Sequence, residues 1–147
     1  MNSKSPEENL DLALLIIRVG VGLSFIWFLG SAKLAGGAPT LTATGAAVSH
    51  LGITAGFYWF GLAAACGETF GGLCLALGLF FRPAALVMMT VMIVATIEQF
   101  SRPMPVPVHS IVDAFLFVGL SIIGPGHYSL DRFLFSGPRQ SRPHEVA

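Results

Sequence analysis

The sequence is poor in charged residues, since Asp, Glu, Lys and Arg together make up 11% of its 147 residues. The formal net charge is zero, and the eight Lys and Arg are scattered along the chain. Proteins that bind nucleic acid present clustered basic residues to the phosphates, and this sequence has no such cluster. We therefore expect no nucleic-acid partner.

Cysteine is also scarce, with Cys66 and Cys74 the only two. Both fall in one predicted helix, about 12 Å apart along its axis, which is too far for a disulfide. The sequence has no Cys-x-x-Cys pair, Gly-rich phosphate loop, Ser/His/Asp signature or haem-attachment motif. A thiol–disulfide enzyme is therefore not expected, and the cysteines are interpreted as buried apolar residues.

Apolar residues are abundant, at 54% of the chain, and the mean hydropathy is +0.74. Several apolar runs approach the length of about 20 residues that a helix needs to cross a bilayer. The sequence predicts a single domain over residues 1–147, an all-α integral membrane four-helix bundle. Its helices are expected at about 11–34, 57–81, 84–100 and 107–123, followed by a polar tail at 136–147.

The connections carry turn and capping signals. Thr40 or Thr42 is predicted to cap a short helix that runs toward Leu51. Pro83 is expected in the first turn of the third helix, which makes the second and third helices a tight hairpin. After the fourth helix, Ser129 or Asp131 is predicted to cap a short amphipathic helix.

The positive charges predict the orientation. An even number of spans places both termini on one side, and that side collects most of the Lys and Arg. The positive-inside rule then predicts cytoplasmic termini in a multi-pass protein of the inner membrane, with the lipid bilayer as its first partner. The residues are Lys4, Arg82, Arg132, Arg139 and Arg142 on that side, against Lys33 and Arg102 on the other.

Ionisable residues inside the predicted helices are the informative part of the sequence. A charge at the bilayer centre costs about 2.5–3.5 kcal/mol on insertion scales, so each such residue needs a compensating interaction. Counting along the helices places Glu68 near the midplane, with Lys33, Glu98 and His109 nearer the outer mouth. The residues are Arg18 and Lys33 in the first helix, Glu68 in the second, Glu98 in the third, and His109 and Asp113 in the fourth.

Two interpretations of these charges stay open. In the first, Arg18 and Glu68 form a buried ion pair that fixes the helix register, and the other acids face a wet mouth. In the second, the charges line a polar pocket that opens outward and binds a carrier such as a quinone. Arg18, Lys33 and Glu68 would then hold the cofactor. The catalytic candidates for proton exchange are Glu68, Glu98, His109 and Asp113.

Two further predictions concern metal binding and dimerisation. His109 and Asp113, four residues apart, are the only two potential ligands that share a helical face, so we expect no metal. Gly67 and Gly71 form a GxxxG spacing, which favours close helix packing within the chain and leaves a homodimer possible.

Three blocks of sequence resemble the DoxX family of small four-helix membrane proteins. Arg18, Lys33, Glu68 and Arg82 match the family pattern position by position. Leu29 departs from it, because the family often has histidine there, and Asp113 stands where it often has glutamate. The blocks are 14–20 with 30–34, 67–72 with 77–86, and 124–131.

The resemblance implies a four-helix membrane fold and, more loosely, membrane redox chemistry. We therefore expect a quinone-linked redox subunit that supports electron or proton transfer beside a redox partner protein. One alternative is a non-catalytic scaffold that anchors a soluble redox or stress-response complex. A third is a small transporter that uses the polar centre of the bundle.

Overall fold

A computed structural model of the chain describes residues 6–101 and 108–135. Within these ranges the secondary structure is helical throughout and contains no strand, which confirms the predicted all-α class. The predicted polar tail at 136–147 lies outside the described residues, as does Arg102. The helices are α1 (Pro6–Ala35), α2 (Gly37–Gly45, continued by a 3₁₀ turn Ala46–Leu51), α3 (Phe57–Leu77), α4 (Phe81–Phe100), α5 (Val108–Ile123) and α6 (Leu130–Phe135).

Three of these helices, α1, α3 and α4, are long and apolar enough to cross a membrane. The fourth helix of the bundle, α5, has 16 residues, which corresponds to about 24 Å. Helix α3 lies at the centre, with α1 and α4 packed on it, and α5 packs on α4. Phe25 of α1 and Phe117 of α5 meet edge to face at 5.2 Å and join the two outer helices.

The hairpin between α3 and α4 lies three to four residues earlier in the chain than predicted, with residues 78–80 as its connection. Helix α3 ends at Leu77 instead of Phe81 because Gly78 adopts a left-handed conformation with φ of 66°. Helix α4 begins at Phe81 instead of Ala84 because the Asp131 carboxylate accepts hydrogen bonds from the amides of Phe80 and Phe81, at 2.8 and 2.9 Å. Pro83 lies in the first turn of α4, as predicted.

The short helix predicted before Leu51 is present, but its capping prediction is wrong. Helix α2 begins at Gly37, and Thr40 and Thr42 lie inside it, where their hydroxyls donate to the carbonyls of Gly36 and Ala38. Beyond α5, the Ser129 hydroxyl accepts from the Arg132 amide at 3.3 Å. Ser129 is therefore the cap of α6, and Asp131 is free to cap α4.

Helix α1 contains a π-turn at Phe25–Gly30, in which the Ser31 amide donates to the Ile26 carbonyl. In a regular α-helix Gly22 and Gly30 would be rotated from each other by about 80°. In this chain both face α3, since Gly22 lies against Gly72 and Gly30 against Thr69. The extra residue in the π-turn therefore corrects the rotation and keeps the last turns of α1 facing α3.

Glycines allow the helices to approach closely. Gly67 and Gly71 face Val87, Val91 and Met88 of α4, so the GxxxG spacing serves packing within the chain. A homodimer stays a prediction. On α1, a Cβ at Gly22 would overlap the Gly72 carbonyl oxygen and lie 2.9 Å from the Ala76 nitrogen, whereas a Cβ at Gly20 would meet nothing within 4 Å.

Substitution of these two α1 glycines tests the crossing. We expect Gly22→Ala to lower the free energy of unfolding by about 2 kcal/mol, because the new methyl group meets backbone atoms that cannot move aside. Gly20→Ala is the matched control, and its effect should be neutral or stabilising by up to about 1 kcal/mol. Denaturation of the purified proteins in mixed detergent micelles measures both. Equal stability of the two variants would contradict the crossing.

The cap on α4 has its own test. Asp131→Ala should lower the free energy of unfolding by about 1–2 kcal/mol, because it leaves two amides without their acceptor. Asp131→Asn keeps one acceptor oxygen and should lose about half as much. The same denaturation assay ranks the three proteins, and a neutral Asp131→Ala would show that the cap does not stabilise the hairpin.

Candidate functional site

A buried ion pair lies deep in the bundle. The Lys33 ammonium is 2.5 Å from Glu68 Oε1, the Glu68 side chain is 0% exposed and Lys33 retains 24% exposure. The second carboxylate oxygen, Glu68 Oε2, is buried and has no hydrogen-bond partner among the described residues. The pair therefore offers one unused acceptor and the remaining protons of the ammonium.

The ion pair lies at the wall of an apolar cavity of about 360 Å³, which we call the chamber. Its volume is at the small end of the range for ligand pockets. Ala63, Val87 and Thr90 are exposed on the outer surface of α3 and α4, so the chamber opens between these helices on the outside of the bundle. Besides Lys33 and Glu68, the lining residues are Thr44, Gly45, Ala47, Val48, Phe60, Ala63, Ala64, Val87, Thr90, Val91, Val94 and Ala95.

A second cavity of about 550 Å³, which we call the vestibule, adjoins the chamber. It is lined by Glu98 of α4 and by residues of α2 and the following turn. The two cavities share Lys33, Thr44, Ala47 and Ala95, so the ammonium lies where they meet. The other vestibule residues are Pro39, Thr40 and Ala43. The structure thus brings Lys33, Glu68 and Glu98 to one connected space.

The pairing of Arg18 with Glu68, one of the two interpretations left open by the sequence, is wrong, because Glu68 pairs with Lys33. Because Gly30 of α1 lies against Thr69 of α3, Lys33 reaches the depth of Glu68. Arg18 lies about four turns before Lys33 in α1, beside Gly78 at the other end of α3.

Arg18 is 2% exposed, and its guanidinium donates a hydrogen bond to the Pro125 carbonyl. It is thus placed against the C-terminal ends of α3 and α5, where the partial negative charge of the helix dipoles favours a cation. Arg18 therefore stabilises the end of the bundle away from the chamber, which it does not line.

The loop after α5, Gly124–Ser129, closes that end. Asp11 of α1 accepts a hydrogen bond from the His127 amide at 2.9 Å, and its other oxygen lies 2.5 Å from His127 Nδ1. The Asp131 amide donates to the Gly78 carbonyl at 2.9 Å. The block 124–131 singled out in the sequence therefore ties α1 to the α3–α4 hairpin.

His109 and Asp113 lie apart from the chamber, on α5. His109 Nδ1 is 2.8 Å from Asp113 Oδ2, with 77% and 15% side-chain exposure. They face a groove of about 620 Å³ whose other residues all belong to α1, Phe25 and Phe28 among them. The six residues singled out in the sequence thus occupy three separate places.

Residues 13–100 match the DoxX family model. The chain belongs to the DoxX family. It is a DoxX membrane protein whose matched region contains Arg18, Lys33, Glu68 and Glu98 and ends before His109 and Asp113. Comparison with curated proteins finds no match, and comparison with solved structures finds none either.

The contribution of α2 and its 3₁₀ turn to the site was missed in the sequence. Thr44, Ala47 and Val48 form one wall of the chamber, although this Gly-, Ala- and Thr-rich segment was interpreted as a connection. The available signal for this contact was a glycine in each of the two segments, Gly45 and Gly61, because glycines allow two helices to approach closely. A Cβ at Gly45 would overlap the Phe57 carbonyl, and one at Gly61 would overlap the Leu41 carbonyl, so both glycines are needed for α2 to rest on α3.

The ion pair can be tested through stability. Lys33→Met should lower the free energy of unfolding by about 2 kcal/mol, because it leaves Glu68 buried without a counter-charge; partial exposure of Lys33 keeps the loss below the usual range for fully buried pairs. The double variant Lys33→Met/Glu68→Met removes both charges and should recover most of the loss. Denaturation in mixed micelles measures the three proteins. A Lys33→Met variant as stable as the unmodified protein would contradict the pairing.

Proposed function

We propose that this DoxX protein is a quinone-binding subunit of a membrane redox system. The observation that carries the proposal is the Lys33–Glu68 pair, placed at the wall of an apolar chamber inside a membrane bundle. A bound quinone would supply a carrier of two electrons and two protons. The inner membrane and cytoplasmic termini predicted from the sequence belong to the same proposal.

The chamber residues fit such a ring. Its walls are mainly Ala and Val side chains, which suit an apolar headgroup and the start of a tail. Glu68 Oε2 is an unpartnered acceptor, and it matches the hydroxyl of the reduced form. The Lys33 ammonium has three donors, one of which points to Glu68 Oε1, so a carbonyl oxygen of the oxidised form can accept from another.

These two residues would have distinct roles. Lys33 orients the headgroup through its hydrogen bond and stabilises negative charge on an oxygen next to it. Glu68 is placed to accept a proton at Oε2 and to return it, as a general base and acid. The apolar walls exclude water from the ring, which strengthens both interactions.

Electron exchange is assigned in this proposal to a separate redox partner protein, because the sequence contains no haem-attachment motif and no Cys-x-x-Cys pair. The partner would exchange two electrons with a quinone bound in the chamber, while residues of this chain move the protons.

Quinone binding is tested with one acid-to-amide change in the chamber and one outside it. The organic extract of the purified, detergent-solubilised protein is analysed by mass spectrometry, and a short-tail benzoquinol is titrated by calorimetry. We expect near-stoichiometric quinone in the unmodified protein. Glu68→Gln should weaken quinol binding about tenfold, because it removes one hydrogen bond to a charged group.

Asp113→Asn is the matched control, since it is the same acid-to-amide change at a residue that lines a different groove and not the chamber. Its quinol affinity should stay within about twofold of the unmodified protein. Quinone at background level in the unmodified protein, together with no calorimetric signal, would refute the proposal and favour the scaffold alternative.

A further inference from the structure

The Glu68 side chain is 0% exposed, so protons can reach its carboxylate only through the cavities beside it. The chamber cannot supply them by itself, because its outer surface is the lipid-facing side of α3 and α4. A proton route therefore needs a second opening with polar groups, and the vestibule has both.

The vestibule leads from the ion pair toward one end of the bundle. On α4, Val91 faces Gly67, one residue from Glu68, and Glu98 lies about 10 Å further along that helix. Glu98 is three residues from Ser101, which is exposed. The cavity residues thus extend from the depth of Glu68 to the last turn of α4.

The same end carries the marks of a membrane–water boundary. Tyr58 and Trp59, in the first turn of α3, stack edge to face at 5.1 Å, and Trp59 is 69% exposed. Amphipathic rings of this kind lie at the headgroup level. Helix α2 rests on the first turns of α3 through Gly45 and Gly61, so the vestibule between α2 and α4 opens at this level.

We propose that the vestibule is an aqueous route, lined by Glu98 and Thr40, that connects the Lys33–Glu68 pair to water at the end of the bundle away from Arg18. The binding site then has two openings, one to lipid for an apolar ligand and one to water for protons. The role in proton exchange rests on the proposed function, whereas water access to Lys33 does not.

On this route a proton leaves Glu68 through water in the vestibule, passes Lys33 and Glu98, and reaches the aqueous phase. Protons taken up by the site follow the reverse path. Each proton that Glu68 accepts during oxidation of a quinol, while the electrons pass to the redox partner, thus emerges on one defined side of the membrane. The closed end around Arg18, Pro125 and Gly78 takes no part in this exchange.

Substituted-cysteine accessibility tests the route without any bound quinone. In a Cys66→Ala/Cys74→Ala background, single cysteines replace Ala47 and Ala95, two of the four residues that the chamber and the vestibule share. Ile93→Cys is the control, because it lies on the same helix α4 but faces an apolar groove against α5. A charged, membrane-impermeant methanethiosulfonate reagent is added to intact proteoliposomes, since it reacts only with thiols that contact water.

We expect the reagent to modify Ala47→Cys and Ala95→Cys at least tenfold faster than Ile93→Cys, and from one side of the membrane only. Glu98→Leu in the Ala95→Cys background should slow the modification severalfold, because an apolar side chain replaces the polar lining. Rates for both vestibule cysteines equal to that of Ile93→Cys would overturn the route. The proteoliposomes are prepared from quinone-depleted protein, so this result does not depend on whether the chamber binds a quinone.

Discussion

Burial of Glu68 is the constraint on which the arrangement of this bundle depends. A carboxylate removed from solvent in the middle of a membrane protein needs a cation beside it to stay ionised, since otherwise it takes up a proton. Lys33 supplies that charge at 2.5 Å, and it can do so only because α1 reaches the depth of Glu68 with the correct face turned toward α3. The π-turn at Phe25–Gly30 and the glycine contact at Gly30 meet this requirement.

The two ends of the bundle are held together by different physical means. At the end near Arg18, hydrogen bonds link the Arg18 guanidinium to the Pro125 carbonyl, Asp11 to the loop after α5, and Asp131 to the amides of Phe80 and Phe81. At the other end, α2 is held by close backbone packing at Gly45 and Gly61. The chamber and the vestibule lie at this second end, where packing through small residues leaves space between the helices.

Much of the fold could be predicted from the sequence because apolar length and helix-breaking residues are local signals. The all-α class, the position of Pro83 and the short helix before Leu51 all followed from them. The start of α4 was misplaced because its cap, Asp131, comes from a residue fifty positions away. No local pattern contains such a contact.

The site was predicted less completely for a similar reason. Singling out Glu68 and Lys33 required only that a charge in an apolar run is costly. Their pairing required the relative register of α1 and α3, which the π-turn changes by one residue. The chamber wall formed by Thr44 and Val48 depends on how α2 folds back on α3, and hydropathy carries no information about that.

The difference in length between the helices has a consequence for the surrounding lipid. Helix α1 has 30 residues and α5 has 16, so the apolar belt around the bundle is not of even height. Lipids beside α5 must shorten or the bundle must lean, because a mismatch between protein and hydrocarbon thickness is relieved by thinning or tilt. The bilayer would then be thinnest beside the first turn of α5, where His109 is exposed, so that this polar side chain meets headgroups instead of acyl chains.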